Sequence, residues 1–240
     1  MWRDNLRGIC CIALKDMRTY YLKPPAISWG IVFPAMWTLA FYLRSPSNFD
    51  ELVPGLIAMT VLFSTTASEA VVINFEMRIG SLERLLLAPI NVSAVLFGKV
   101  LGGAVFGFLM ATVVTTGPVL GLGLQIDLLS LLLVIVPSLF VFSSLGALLS
   151  VTVKEVFEAQ TLANIPRFLM MFLCGVLYPV SAMPLVLQYV AYVLPLTYTV
   201  DGLRQVFSSG GMIMGDSSVL LGFAVVFLWP AIRLLEKRSV

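Results

Sequence analysis

Long apolar runs separated by short polar stretches dominate the pattern of the chain, and they predict an all-α polytopic membrane protein. The apolar runs cover approximately residues 26–43, 52–74, 94–114, 128–151, 168–182 and 219–235. A helix of about 20 apolar residues is long enough to cross the hydrocarbon core of a bilayer. We therefore predict six transmembrane helices in a single membrane domain that covers residues 1–240.

Residues 1–23 are predicted to form an amphipathic helix that lies at the membrane interface. Charged residues interrupt the apolar positions too often for the core of a signal peptide. Apolar residues recur at helical spacing on one face, and polar residues lie on another. The predicted apolar face consists of Leu6, Ile9, Cys10, Ala13, Met17 and Tyr21, and the other face of Arg7, Cys11, Lys15 and Arg18. A plain cytoplasmic helix is the alternative.

The apolar stretch 183–207 is predicted to enter the outer leaflet and return as a re-entrant hairpin between the fifth and sixth spans. Pro184 and Pro195 divide it into pieces that are too short to cross separately. With a re-entrant hairpin, all 15 Lys and Arg residues except Arg44 and Arg204 lie on the inner side. This strong positive-inside bias predicts that both termini are cytoplasmic.

The composition restricts the function of this membrane domain. Of the 240 residues, 59% are hydrophobic and 12% are charged, and the mean hydropathy is +0.99. The chain has no histidine, which excludes histidine-based catalysis and histidine metal sites, and a net charge of +2 gives no case for nucleic-acid binding. Its three cysteines, Cys10, Cys11 and Cys174, have no spacing of a disulfide framework or zinc site.

The segment Phe75–Pro89 is charged and amphipathic, and it joins two predicted spans. Its leucines recur at helical spacing, the Ser81 hydroxyl is predicted to cap the helix, and Pro89 is predicted to stop it. We predict a short helix that lies against the membrane on the cytoplasmic side. An ordinary surface-loop helix is the alternative interpretation.

Two patches of sequence resemble the ABC-2 type transporter permeases, the membrane subunits of a class of ATP-binding-cassette exporters. The first patch, which is similar to the inner loop of that family, consists of Glu76, Arg78, Gly80, Ser81, Leu82, Glu83, Leu85, Leu86, Pro89 and Gly98-Lys99. The second patch lies within residues 173–204 and consists of Gly175, Pro179, Pro184, Pro195-Leu196-Thr197-Tyr198 and Arg204. Ser81 stands where the family usually has threonine, so a hydroxyl is kept.

The resemblance implies an N-terminal elbow helix, a homodimer or a dimer with a related permease, and two copies of a separate ATPase subunit that carries ATP and Mg²⁺. The only Gly-Lys pair, Gly98-Lys99, lacks the pattern of a P-loop, so we expect a non-catalytic transport subunit that binds no cofactor itself. The residues predicted to couple the chain to the ATPase are Glu76, Arg78, Gly80, Ser81, Leu82, Glu83, Arg84, Leu85 and Leu86. A second inner loop is expected to add Lys154, Glu155 and Glu158.

Two polar groups inside the membrane are candidates for transport. Thr60, Ser64 and Ser68 form a stripe beside Glu69 in the second span, and a substrate path is one interpretation. The alternative is that the hydroxyls bond to the preceding turn and Glu69 pairs with a basic residue. On the outer hairpin, Tyr198, Asp201 and Arg204 are expected to hold the structure through an Asp201–Arg204 pair or to gate substrate exit.

Glycines at four-residue spacing in the third span are expected to let helices approach closely. They are Gly98, Gly102, Gly103 and Gly107, with Gly146 in the fourth span. The predicted function is outward transport of a drug-like or lipid-like substrate. A lipid-linked polysaccharide exporter subunit, or an ion or small-solute channel that needs no ATPase, is the alternative.

Overall fold

A computed structural model of the protein describes residues 2–44, 49–88, 90–123, 126–153, 155–208 and 213–238, and these residues form helices and connecting turns without a β-strand. The helices are α1 (Trp2–Asp16), α2 (Pro24–Ile27), α3 (Phe33–Arg44), α4 (Phe49–Arg78), α5 (Ser81–Leu86), α6 (Val92–Leu122), α7 (Leu128–Thr152), α8 (Val156–Leu173), α9 (Leu185–Val193), α10 (Pro195–Phe207) and α11 (Ile213–Arg238). The prediction of an all-α fold is confirmed for these residues.

Four of the described helices, α4, α6, α7 and α11, are long and apolar enough to cross a membrane. They correspond to the second, third, fourth and sixth predicted spans. α4 is the most central of the four helices, since 94% of its most apolar 18-residue stretch is buried. In α11 only 17% of the corresponding stretch is buried. The exposed apolar residues of α11, among them Val225 and Trp229, suit contact with lipid. The count of six spans stays a prediction.

The first predicted span is helical but not regular. A π-helical turn, Ser28–Val32, separates α2 from α3, and Pro34 is the second residue of α3. Proline has no amide hydrogen, and its ring displaces the carbonyl four residues earlier, so the preceding turn widens. The helix is therefore disturbed before Pro34 in the form of a π turn. A second π turn, Met17–Tyr21, comes before Pro24.

The helix at the predicted fifth span, 168–182, has other bounds than that span. The helix α8 begins at Val156, within the predicted second inner loop, and ends at Leu173. Pro166 does not divide it, and Arg167, which the charge distribution assigns to the inner side, is fully buried. After Cys174 the chain turns at Gly175, whose φ of 81° is unfavourable for other residues.

The stretch after α8 forms two short helices, as the prolines predicted. Pro184 precedes α9, and Pro195 occupies the first turn of α10, where its missing amide hydrogen costs nothing. The corner between α9 and α10 is closed by the Thr197 hydroxyl, which donates to the carbonyl of Ala191 at 2.5 Å. At nine residues, α9 is about 14 Å long and cannot cross a bilayer.

The N-terminal helix α1 packs on the first half of α6. Among residues 4–16 of this helix, Ile12, Ala13 and Asp16 are buried. The predicted apolar face is therefore only partly right: Ala13 and Tyr21 are buried, but Leu6 and Cys10 are exposed. The buried face of α1 differs from the predicted one because α1 packs on the glycines of α6 and not only on the membrane.

Glycines of α6 make the close packing possible, as predicted. A Cβ atom at Gly98 would lie 3.1 Å from the carbonyl oxygen of Ile9 in α1. On another face of α6, Gly103 lies against Glu69 and Ser143, from α4 and α7. The α6 glycines thus allow α1, α4 and α7 to approach within one chain.

Candidate functional site

The short helix α5 lies between the two longest helices, α4 and α6, and it follows a tight reversal of the chain. Gly80 has a φ of 69°, which glycine adopts without steric cost. The predicted Ser81 cap is wrong, because Gly80 occupies the N-cap position and Ser81 is the first helical residue. Pro89, the predicted stop, lies outside the described residues, and the helix ends before it at Leu86.

One side of α5 is anchored and the other is free. Leu82 is 2% exposed and packs in a cluster with Ile73 and Val95, and Leu85 and Leu86 are half-buried against it. Glu83 and Arg84 are exposed, and Leu87, directly after the helix, is 86% exposed. The exposed side therefore combines charges with an apolar residue, as a helix that enters a groove on a partner does.

Of the predicted coupling residues, Glu76 has a different place from the rest. It lies in the last turns of α4 and is fully buried, whereas Arg78 is exposed. Lys99 Nζ lies 2.5 Å from Glu76 Oε2, and Lys15 also donates to the Glu76 carboxylate. Glu76 therefore faces the interior of the chain and not the exposed side of α5.

Glu76 belongs to a cluster of four charges, which we call the ion cluster: Lys15 and Asp16 of α1, Glu76 of α4 and Lys99 of α6. Three of the four are fully buried, and the Lys15 side chain is 37% exposed. Lys99 Nζ lies 3.1 Å from Asp16 Oδ2, and Lys15 Nζ lies 2.9 Å from Asp16 Oδ1. The cluster has no net charge and joins three helices next to α5. Burial of charges requires such pairing, since desolvation is costly.

The cluster shows where Lys99 lies and adds one residue to the predicted site. A lysine inside a membrane span can extend its side chain to the headgroups, but that of Lys99 is fully buried. Asp16 was missed as a site residue. The signal was present, because a lysine inside an apolar span requires a carboxylate, and Asp16 lies in the helix that precedes the first span.

Glu69 of α4 is buried and accepts a hydrogen bond from the Tyr21 hydroxyl at 2.7 Å. The Ser143 hydroxyl lies 3.5 Å from the same oxygen. The described hydrogen-bond partner of Glu69 is thus a tyrosine from the turn after α1, and not the basic residue that one of the two interpretations gave it. Glu69 therefore ties the N-terminal segment to the centre of the bundle.

The hydroxyls of the predicted polar stripe bond within their own helix. Thr60 donates to the carbonyl of Leu56 at 2.9 Å, Ser64 to that of Thr60 at 2.6 Å, and Ser68 to that of Ser64 at 2.5 Å. The alternative of bonding to the preceding turn is confirmed for these three residues. The three hydroxyl groups therefore donate to backbone carbonyls and need no ligand as an acceptor.

The residues predicted in the second inner loop begin α8. Glu155 occupies its N-cap position and Glu158 its first turn, and both side chains are exposed. Carboxylates are favourable there because of the helix dipole. Lys154 lies outside the described residues.

At the opposite end of the bundle, the predicted pair on α10 is confirmed. Arg204 Nη1 lies 3.7 Å from Asp201 Oδ1, and Arg204 Nη2 donates to the carbonyl of Gly175 at 2.5 Å. The Tyr198 hydroxyl donates to the carbonyl of Tyr192 at 2.9 Å. All three side chains thus hold the corner formed by α8, α9 and α10.

Asp127, in the turn that precedes α7, caps that helix at the same end. Its carboxylate accepts from the Ser130 hydroxyl at 2.5 Å and from the Ser130 amide at 3.0 Å. These two hydrogen bonds lower the pKa of Asp127. Within the described residues, no group of three or more His, Cys, Asp or Glu side chains is placed to hold a metal.

The long apolar helices, with a short two-sided helix held between two of them, define a multi-pass membrane protein. The chain belongs to the ABC-2 type transporter family, whose model matches residues 8–208. This match covers both patches in which the sequence resembles the permeases.

Two bacterial relatives carry the name of a transport permease. The chain is 29% identical over 231 residues to the "Inner membrane transport permease YadH" of Escherichia coli, covering 90% of this chain and 87% of YadH. It is 28% identical over 235 residues to the "Probable multidrug ABC transporter permease YbhS" of the same organism, covering 95% of this chain. The chain spans 57% of the length of YbhS. The protein is thus similar to transport permeases over most of its length.

Proposed function

We propose that the chain is the membrane subunit of an ATP-driven exporter, and that it moves a drug-like or lipid-like substrate outward. ATP and Mg²⁺ are bound by a separate ATPase, expected in two copies. The permease acts as a homodimer or with a related permease, with six spans and both termini in the cytoplasm. Membership of the ABC-2 family and the multidrug name of one relative support this proposal.

The observation that carries the proposal is the geometry of α5. Leu82 anchors the helix, while Glu83, Arg84 and Leu87 are free to contact another protein. The helix is too short and too well anchored to move independently of α4 and α6. An ATPase that binds its exposed side is therefore able to transmit its own closure to both long helices.

The positions of the chain's charges support the orientation. α5, the ion cluster and Glu155 and Glu158 all lie at one end of the bundle, which we assign to the cytoplasm. Arg204 and Asp127 belong to the other end. With this orientation the exposed α5 and the start of α8 form one cytoplasmic surface for the ATPase.

The experiment that tests the proposal is purification of the chain from its native membrane in mild detergent. We expect a P-loop ATPase in equal amount and an ATP hydrolysis rate that depends on transported substrate. Glu83→Arg and Leu87→Asp are expected to uncouple hydrolysis from transport, because both side chains are exposed. Arg233→Glu, at an exposed position of α11, is the matched control.

Two outcomes contradict the proposal. Repeated purification of an intact oligomer without an ATPase favours the channel that needs no ATPase. Unchanged transport in both α5 variants shows that α5 is not the coupling element. Leu85→Asp is less informative than Leu87→Asp, since Leu85 packs against the buried cluster around Leu82.

A further inference from the structure

A cavity of about 400 Å³ lies between the π turn after α1, the second half of α4 and the first half of α8. Its apolar wall includes Val71 and Phe75 of α4. Its polar wall includes Lys23, Gln160 and Asn164. The volume falls within the range of about 300–1,000 Å³ that is usual for pockets of drug-sized ligands.

A buried arginine lies directly behind the polar wall. Gln160, Asn164 and Arg167 are spaced by four and three residues, so they share one face of α8. Arg167 Nη1 donates to Asn164 Oδ1 at 2.8 Å, and the guanidinium lies 5.8 Å from the centre of the Phe63 ring. Asn164, which lines the cavity, therefore joins Arg167 to it.

Arg167 lacks the partners that its burial requires. Its side chain is fully buried, and neither Nε nor Nη2 has a hydrogen-bond partner among the described residues. No carboxylate in that part of the chain lies within ion-pair distance of it. Gln160 Oε1 is also without a partner there. A guanidinium keeps its charge and is costly inside a membrane unless an anion or several acceptors pair with it.

We propose that the cavity and Arg167 bind the anionic head of an amphiphilic substrate, with a carboxylate, sulfate or phosphate group on an apolar body. This inference rests on the proposed function and names its substrate class. Lys23, exposed at the cavity, attracts the anion, and Asn164 turns away from Arg167 to admit it. The two unpartnered donors of Arg167 then form charge-assisted hydrogen bonds with the ligand.

The occupant is a transported amphiphile and not a resident phospholipid. The cavity has room for the head and part of one chain, whereas a two-chain phospholipid requires far more space than 400 Å³. The apolar part of the ligand lies along Val71 and Phe75. The site thus recognises the charge of the ligand strongly and the shape of its apolar body weakly.

The test is a binding titration on the full chain, purified with any associated ATPase and placed in nanodiscs of phosphatidylcholine. Dansylundecanoic acid is the anionic probe, and its uncharged primary amide is the matched neutral probe. We expect the amide to bind about tenfold more weakly than the acid, since charge-assisted hydrogen bonds are lost. Dansyl fluorescence reports both affinities without transport or ATP.

Four variants make the test specific. Arg167→Gln is expected to remove most of the preference for the acid, and Arg167→Lys to keep a larger part of it. Arg233→Gln, which changes an exposed arginine of α11, should leave both affinities unchanged. Ala67→Phe fills the cavity and should weaken the binding of both probes. It therefore tests whether the probes bind in this cavity if Arg167→Gln does not fold.

The outcomes that overturn the proposal are definite. Equal binding of acid and amide, or a preference for the acid that is undiminished in Arg167→Gln, shows that Arg167 does not recognise the ligand. Displacement of the acid by phosphatidylglycerol in the nanodisc shows that the site belongs to a membrane lipid. Absence of an ATPase with an intact acid preference overturns the proposed exporter while it supports the anion site.

Discussion

Glu76, near the end of α4, and Lys99, in α6, lie 2.5 Å apart with both side chains fully buried, and the helix α5 lies between them in the chain. Asp16 and Lys15 add α1 to the same cluster. A displacement of α5 that separated α4 from α6 would have to break this contact. The ion cluster therefore favours movement of α4, α6 and α1 as one body.

Lys99→Met is expected to destabilise the protein strongly. It leaves Asp16 and Glu76 buried with only Lys15 to compensate them, and removal of one partner of a buried ion pair costs about 3–5 kcal/mol. We expect a lower yield of monodisperse protein and a lower midpoint of thermal unfolding in detergent. Lys237→Met, at an exposed position of α11, is the matched control.

The double variant Lys99→Met with Asp16→Asn should recover much of that loss, because it restores a neutral cluster. Recovery of the unfolding midpoint would show that Lys99→Met destabilises the protein through unpaired charge and not through loss of packing. If Lys99→Met unfolds at the temperature of the unchanged protein, the cluster does not stabilise the fold.

Glu69→Gln is expected to assemble and transport almost normally. The amide oxygen of glutamine can still accept from the Tyr21 hydroxyl, which lies 2.7 Å from the carboxylate. Glu69→Leu leaves that hydroxyl buried without an acceptor, at a cost of about 1–3 kcal/mol. Thermal unfolding and a transport assay on both variants check this. Loss of transport in Glu69→Gln with normal assembly would instead support a place for Glu69 in the substrate path.

Much of the fold follows from the apolar pattern, because long apolar helices have few alternatives in a bilayer. The fourth span, predicted at 128–151, agrees with α7 (Leu128–Thr152) to one residue. The fifth predicted span, 168–182, differs from the helix α8 (Val156–Leu173), which continues through Pro166 and Arg167. Both residues are accommodated inside α8, where tertiary contacts with α4 override the local preference.

The candidate site was less predictable than the fold. Periodicity placed α5 correctly, since its leucines lie on one side. It could not show that Glu76 faces inward, because the partners of Glu76 are 23 and 61 residues away in the chain. The Tyr21–Glu69 contact could not be predicted either, because the two residues are 48 positions apart and meet only when α1 packs on the bundle.

Gly103→Ala is expected to destabilise the packing of α6. The new methyl group would lie 2.7 Å from the Ser143 hydroxyl and too close to Glu69. Overpacking of this kind costs about 1–3 kcal/mol. Gly117→Ala in the same helix is the matched control, since nothing lies within 4 Å of the added atom. Equal thermal unfolding of the two variants would show that the bundle adjusts to the methyl group at Gly103.

Gly80→Ala is expected to impair coupling without preventing membrane insertion. The residue has a φ of 69°, and a left-handed conformation costs about 1–2 kcal/mol for a residue with a Cβ atom. The added methyl group meets no nearby atom except Glu83 Oε2 at 4.0 Å, so strain and not collision is the cause. We expect substrate-stimulated ATP hydrolysis to fall in Gly80→Ala and to fall less in Gly80→Asn, because asparagine tolerates this conformation better.

Gly222→Ala, in an open part of α11, controls for the loss of a glycine. Equal stimulation in all three variants would mean that the reversal at Gly80 does not set the position of α5.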